Sequence, residues 1–242
     1  MQVHYYLVRA HDVEPNGSGG PVDDSTRARL LTAAEQLFAE RGVDGVSLRE
    51  INRLAGARNA VAVQYHFGDR LGMVRAVNDK HYPEVDARRH AMLDEYEAHP
   101  ESGLRALAGA LVRPLASKLA DPDGGPEYLQ IHAELINRPR SGEPDDVDLP
   151  TAARDSIQRW RTLVGPFLSE DAVRLHRRFT VIRLAAAELG RRAGSGPHAD
   201  DRLFVSHLVD IVHALLVAPS SDETLRLADA RDSSRRARSR RR

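Results

Sequence analysis

Between residues 47 and 70 the sequence gathers side chains able to grip a polyanion and read hydrogen-bonding groups on it. Ser47-Leu48-Arg49-Glu50 is a capping box: the hydroxyl takes an orphan N–H of the next helix while Glu50 reaches back to the cap. A helix started this way offers a phosphate its backbone N–H groups and the Ser47 hydroxyl. Arg58 and Asn59, with Ala60 and Val61 directly after them, open a second short helix. Arg suits the paired acceptors of guanine, and Asn the donor–acceptor pair of adenine. Gln64, Tyr65 and His66 can reach a base edge or a backbone oxygen, and Arg70 can clamp a phosphate at the next helix start. Singly, each also reads as an ordinary surface residue, with Ser47 a plain cap and Arg58 a solvated turn residue. The spacing gives them weight together.

The elements around them follow from periodicity. Asp24 or Ser25 can cap a helix to about Glu40, with Leu30, Leu31, Ala34, Leu37 and Phe38 at helical spacing and Gly42 beyond. Leu48, Ile51 and Ala55 share one face of the second helix, which Gly56 stops, and a third helix spans about 59–67. Helix, capped short helix, glycine turn and short helix make the helix-turn-helix arrangement, whose last helix enters a major groove. Phe38, Leu37, Ile51, Val63 and Phe67 are its expected core. Asp69 caps a long helix to about Tyr96, and His99-Pro100 breaks the chain. Leu104, Leu107, Ala108, Leu111, Leu115 and Leu119 repeat at spacings of three and four, with Pro114 expected to kink that helix. Further helices are expected at about 127–137, 151–164, 170–192 and 201–218, with an acidic loop at 138–150 between the first two. No alternating strand of useful length occurs. The class is all-α.

The stretch from Thr26 to Val77 resembles the DNA-binding domain of the TetR family. Ala33-Ala34-Glu35-Gln36-Leu37-Phe38-Ala39-Glu40-Arg41-Gly42 looks like that family's first helix and glycine stop, and Ser47-Leu48-Arg49-Glu50-Ile51 like its second helix. Gly56 occupies the turn, while Tyr65-His66-Phe67 and then Arg70 look like the end of the recognition helix and the start of helix four. Gln64 stands where the family often has Tyr, and Leu71 where it often has an acid. The resemblance implies an N-terminal three-helix head at 25–72 and a C-terminal helical ligand-binding and dimerisation bundle at 73–218. It implies a homodimer on palindromic double-stranded DNA, acting as a repressor released by a small effector. It also implies a dimer contact through the last two long helices. There Leu175, Phe179, Ile182, Ala186 and Leu189, and then Phe204, Leu208, Ile211 and Leu215, form apolar stripes. Leu107, Leu111, Leu115 and Trp160, near breaks at Pro114 and Gly165-Pro166, are the candidate lining for a mostly apolar effector.

Charge is distributed unevenly along a chain whose net charge is zero. Residues 25–75 carry +3, residues 121–156 carry −6 and the last twelve carry +6. Residues 1–24, rich in Gly and Pro at their end, are expected to be a disordered arm. Residues 219–242, an Arg-rich tail, are expected to be a solvated end able to add nonspecific phosphate contacts. There is no cysteine, hence no disulfide or thiolate chemistry. His207 and His213 lie six apart, off a shared helical face, and no metal-ligand spacing occurs. Nucleophile elbows, P-loops and dinucleotide fingerprints are absent, so neither an enzyme nor a cofactor is expected. The start lacks a signal-peptide pattern and no apolar run reaches a membrane span, so a soluble cytoplasmic protein is expected. Two other readings compete: a helical lipid- or acyl-binding protein whose helix-turn-helix only supports packing, and a helical enzyme, for which no acids or bases converge.

Overall fold

The computed structural model describes residues 21–57, 59, 61–138 and 156–239. Among these residues every regular element is helical. In order they are α1 (Pro21–Arg41), α2 (Leu48–Leu54), α3 (Ala62–Phe67), α4 (Arg70–Ala98), α5 (Gly103–Ala116), α6 (Gly125–Asn137), α7 (Ser156–Val164), α8 (Glu170–Arg174), α9 (Arg177–Gly194), α10 (Arg202–Val217) and α11 (Asp222–Ser239).

The first three helices and the opening turns of α4 close around Leu30, Ala34, Phe38, Val46, Ile51, Val63 and Met73, all nearly or fully buried. From there the apolar packing continues without a gap into the bundle, through Val77, Val85, Leu107, Leu129, Leu189 and Val212. The boundary expected at residue 72 falls inside the first turn of α4, so one helix serves both head and bundle. α6 packs against α9 and α1, α5 against α4 and α10, and α7 against α4 and α5.

Several local expectations change. α1 begins at Pro21 rather than after residue 24, a position suited to a first-turn proline; residues 1–20 lie outside the described part. Pro114 stands near the end of α5 rather than in the middle of a longer helix. α5 ends two residues later and tightens into one 3-10 turn, Ser117–Ala120, with the Ser117 hydroxyl donating to the Pro114 carbonyl at 2.8 Å. The helix expected over 170–192 is broken at His176, which adopts a left-handed conformation with φ of 56°. The Arg-rich tail is not a solvated coil as far as Ser239. It forms α11, which buries Ala228 and is tied to α8 by Arg174 on Asp229 (2.8 Å) and Asp232 (2.6 Å). The acidic loop over 139–150 and the helix start over 151–155 lie outside the described residues, as do 240–242. Among the described residues no single helix is long and apolar enough to cross a membrane.

Candidate nucleic-acid interface

α2 is held at its start by the full capping box. The Ser47 hydroxyl accepts from the Glu50 N–H at 3.3 Å and donates to the Glu50 carboxylate at 2.8 Å, and that carboxylate takes the Ser47 N–H at 2.9 Å. Arg41 closes the arrangement on Glu50 at 2.8 Å. The Ser47 backbone bond, then its hydroxyl and Arg41, hold the Glu50 carboxyl down at about 2. Ser47 stays exposed at the head of α2, with its hydroxyl already bonded on both sides.

α3 has no side-chain cap of its own, and begins three residues later than the expected start at 59. Asn59 supplies a substitute: its Oδ1 accepts from the Val61 N–H at 3.0 Å, forming an Asx turn ahead of the helix. Asn52, buried on α2, accepts from the Val63 N–H at 3.2 Å and so fixes the second helix to the third. Sequence reasoning passed over Asn52, since a polar residue on an apolar face looks like noise until its acceptor is seen. Arg27 was missed as well. Its guanidinium lies 5.0 Å from the centre of the Phe67 ring, seating the start of α1 against the end of α3.

The result is a third helix with two distinct sides. Ala62 and Val63 are buried and Phe67 is half-buried, whereas Val61, Gln64 and Tyr65 are exposed, Tyr65 to 73%. Asn59 is exposed beside them, and His66 is half-buried with its ring edge-on to Tyr65 at 4.9 Å. Arg58 and Ala60 lie outside the described residues. Arg70 turns back toward the head: its Nη2 donates to the Val46 carbonyl at 2.8 Å and Nη1 lies 3.8 Å from Asp44. It thus staples the α1–α2 loop to the start of α4, with 42% of its side chain still exposed. Gly72 allows that junction to be tight, because a Cβ there would sit 1.9 Å from the Phe67 carbonyl oxygen.

Polar contacts tie this head to the bundle. Glu134 on α6 accepts from the Val43 N–H at 3.1 Å. Glu35, 2% exposed on α1, accepts from His81 at 2.9 Å and from Lys80 at 3.0 Å, both on α4. The candidate effector residues lie deeper. Leu107, Leu111, Leu115 and Trp160 are packed core, with the Trp160 indole N–H donating to the Leu107 carbonyl at 2.7 Å, and none of them lines the gap found between α4 and α6.

Residues 30–77 match the family described as "Bacterial regulatory proteins, tetR family". Two curated relatives from Pseudomonas putida are similar over 82 residues at 34% identity: the HTH-type transcriptional regulator TtgR and the probable HTH-type transcriptional regulator ArpR. The matched stretch covers 34% of this chain and 39% of each relative, so the chain spans about two fifths of their length. Family match, relatives and the three-helix head with its outward-facing third helix agree on one assignment: residues 30–77 are similar to the DNA-binding head of the tetR family of bacterial regulatory proteins.

Proposed function

We propose that this protein is a sequence-specific DNA-binding regulator of transcription, a repressor that sits as a homodimer on a palindromic operator in the cytoplasm. One observation carries the reading. In a stretch that matches the family, α3 is pinned from within by Val63 and Asn52 while Asn59, Val61, Gln64 and Tyr65 face outward. A helix fixed in this way enters a major groove with its exposed side toward the base edges. In this reading Arg58, Asn59, Ala60, Val61 and Gln64 meet bases, whereas Ser47, Tyr65, His66 and Arg70 meet the backbone. Arg70 acts through the edge it does not use on Val46.

Dimerisation is proposed through α9 and α10. Ile182, Ala186, Leu189 and Leu208 turn into the subunit's own core, yet Phe179, Leu203 and Val217 stay exposed at 45%, 82% and 52%. Two-fold symmetry then sets two recognition helices on two half-sites. Release by a small, mostly apolar effector in the bundle completes the proposal. Its action needs only a different affinity for two spacings of the heads, which α4, shared between head and bundle, is placed to transmit.

Selection of bound sites from random duplex DNA tests the reading. The expected result is an inverted repeat, bound with a steep salt dependence. Gln64→Ala should cost about 1–3 kcal/mol and relax preference at one position of each half-site. Enrichment of no sequence by folded protein would overturn the proposal and favour a helix-turn-helix that serves packing alone.

A further inference from the structure

The bundle buries polar atoms that nothing among the described residues satisfies. Tyr128 and His132, one turn apart on α6, are 2% and 9% exposed, and neither the Tyr128 hydroxyl nor His132 Nδ1 has a hydrogen-bond partner there. Their rings lie 5.5 Å apart. Both line a gap between α6 and the early turns of α4, walled further by Val74, Val77, Asn78 and Ile131. Such atoms are rare in native proteins, because burial removes the water that would otherwise bond them.

A third deficit lies nearby. Arg89 on α4 is 4% exposed, yet among the described residues its guanidinium meets only neutral acceptors: Nε donates to the Ala110 carbonyl at 3.2 Å and Nη1 to the Ser156 hydroxyl at 2.9 Å. Among the same residues no carboxylate lies within ion-pairing distance of it. Asp86 makes no direct bond to it; its carboxylate accepts the Ser156 N–H at 2.9 Å and feels the Arg89 charge through space. A buried cation with no carboxylate bonded directly to it is costly to desolvate. Arg89 does not line the gap, but its field reaches both groups that do. Burial first, and Arg89 second, hold the His132 imidazole down at about 4, so it is neutral at pH 7 and free to carry its proton on Nδ1. Burial pushes the Tyr128 hydroxyl well up, so it keeps its proton as a donor.

The two unpaired atoms ask for a hydrogen-bond acceptor, and the field of Arg89 favours one that carries negative charge. Water can bond both atoms but adds no charge opposite Arg89, while a cation is repelled. The gap amounts to about 180 Å³ including its mouth, and its closed part holds about one water. A planar carboxylate suits that space better than a bulkier, more strongly hydrated phosphate. We propose that this gap seats a small organic acid, its carboxylate between Tyr128 Oη and His132 Nδ1 within the field of Arg89, its apolar part against Val74, Val77 and Ile131. The proposal rests on the effector reading above and names the effector's chemistry. An acid larger than the closed space must part α6 from the first turns of α4, next to the bond from Glu134 to Val43 that holds the head.

The test titrates full-length protein with sodium benzoate and sodium hexanoate, and with benzyl alcohol and 1-hexanol as neutral counterparts, by calorimetry. Acids should bind at least about tenfold tighter than the matched alcohols, as expected when charge-assisted bonds replace neutral ones. Tyr128→Phe keeps the ring stacked on His81 and should weaken the acids about fivefold without changing the alcohols. Arg89→Met should erase the preference for acids, and Tyr128→Phe decides the matter if that variant does not fold. Equal affinity for acid and alcohol would overturn the site. So would acid binding indifferent to Tyr128→Phe, or no acid binding by protein that still retards duplex DNA, an outcome that spares the regulator reading. Tyr128-dependent acid binding by protein that ignores DNA would keep the site and remove the regulator.

Discussion

In the head, buried polar side chains are answered across helices: Asn52 by the Val63 N–H, and Glu35 by Lys80 and His81. Among the described residues only Arg70 Nε is left over there. In the bundle, Tyr128 and His132 are buried as deeply and remain unanswered, one turn apart and facing the same gap. Satisfied networks rigidify, and an unmet one marks where something else belongs. The contrast separates two tasks. On the proposed function, the head must present a fixed surface, so its polar atoms are closed on one another, whereas the bundle keeps a demand open for the proposed ligand.

The largest effect should come from opening the closed network. Glu35→Ala removes the acceptor shared by two donors on α4, leaving His81, 1% exposed, without it. The expected loss is about 3–5 kcal/mol, since breaking a buried pair strands its partner. Urea unfolding should show it, and a loss below about 1 kcal/mol would mean that this seam is not the rigid one. His81 stacks on Tyr128 at 4.8 Å, so the same variant should also loosen the acid site, joining the two regions that the comparison keeps apart.

Next in size is a pH effect belonging to the bundle. His132 is held down at about 4, below the ordinary histidine value of 6.5, chiefly by burial. Above pH 6.5 it is neutral folded and unfolded and contributes nothing. Between 6.5 and 4 the unfolded chain binds the proton that the folded one refuses, so stability falls as pH falls, by roughly 3 kcal/mol at the lower end. Over this window His132→Gln should flatten the dependence of the melting temperature on pH. An identical slope in the variant would show that His132 already has a partner in solution. The Glu50 carboxyl, held at about 2, gives the head its own acid response, which begins only below about 4.5.

A smaller effect tests the rigidity of the head. Gly72→Ala sets a methyl 1.9 Å from the Phe67 carbonyl oxygen, a backbone atom that cannot swing aside. Overpacking of this kind costs about 1–3 kcal/mol. Because α3 must shift to relieve it, operator affinity measured on folded protein should fall too. Lost stability with unchanged affinity would show a head more compliant than its closed network suggests.

Much of the head is legible from the sequence. The capping box at Ser47, the cap at Asp69, where Oδ1 accepts the Gly72 N–H at 2.7 Å, and the apolar spacing of α1 and α2 all rest on contacts within a few residues. Local chemistry of that kind is written in neighbouring letters. The bundle is less legible. The docking of α11 on Arg174 depends on partners far along the chain, and no glycine or proline marks the left-handed break at His176, so a continuous apolar stripe read as one helix and an Arg-rich end read as coil. The effector residues chosen from breaks and leucine spacing, Leu107, Leu111, Leu115 and Trp160, are buried, but periodicity tells which side of a helix is buried and not whether the facing side leaves room.

By itself the sequence determined an all-helical chain, a head of three helices with a capped middle one, and an outward row of residues at the third. Tertiary structure alone decided which buried polar atoms meet and which do not. Glu35 finds His81 forty-six positions away, whereas Tyr128 and His132 find no partner among the described residues. The reason is physical: helical propensity and capping are settled within one or two turns, but a buried hydroxyl or imidazole is satisfied only by what another helix brings within about 3 Å of it.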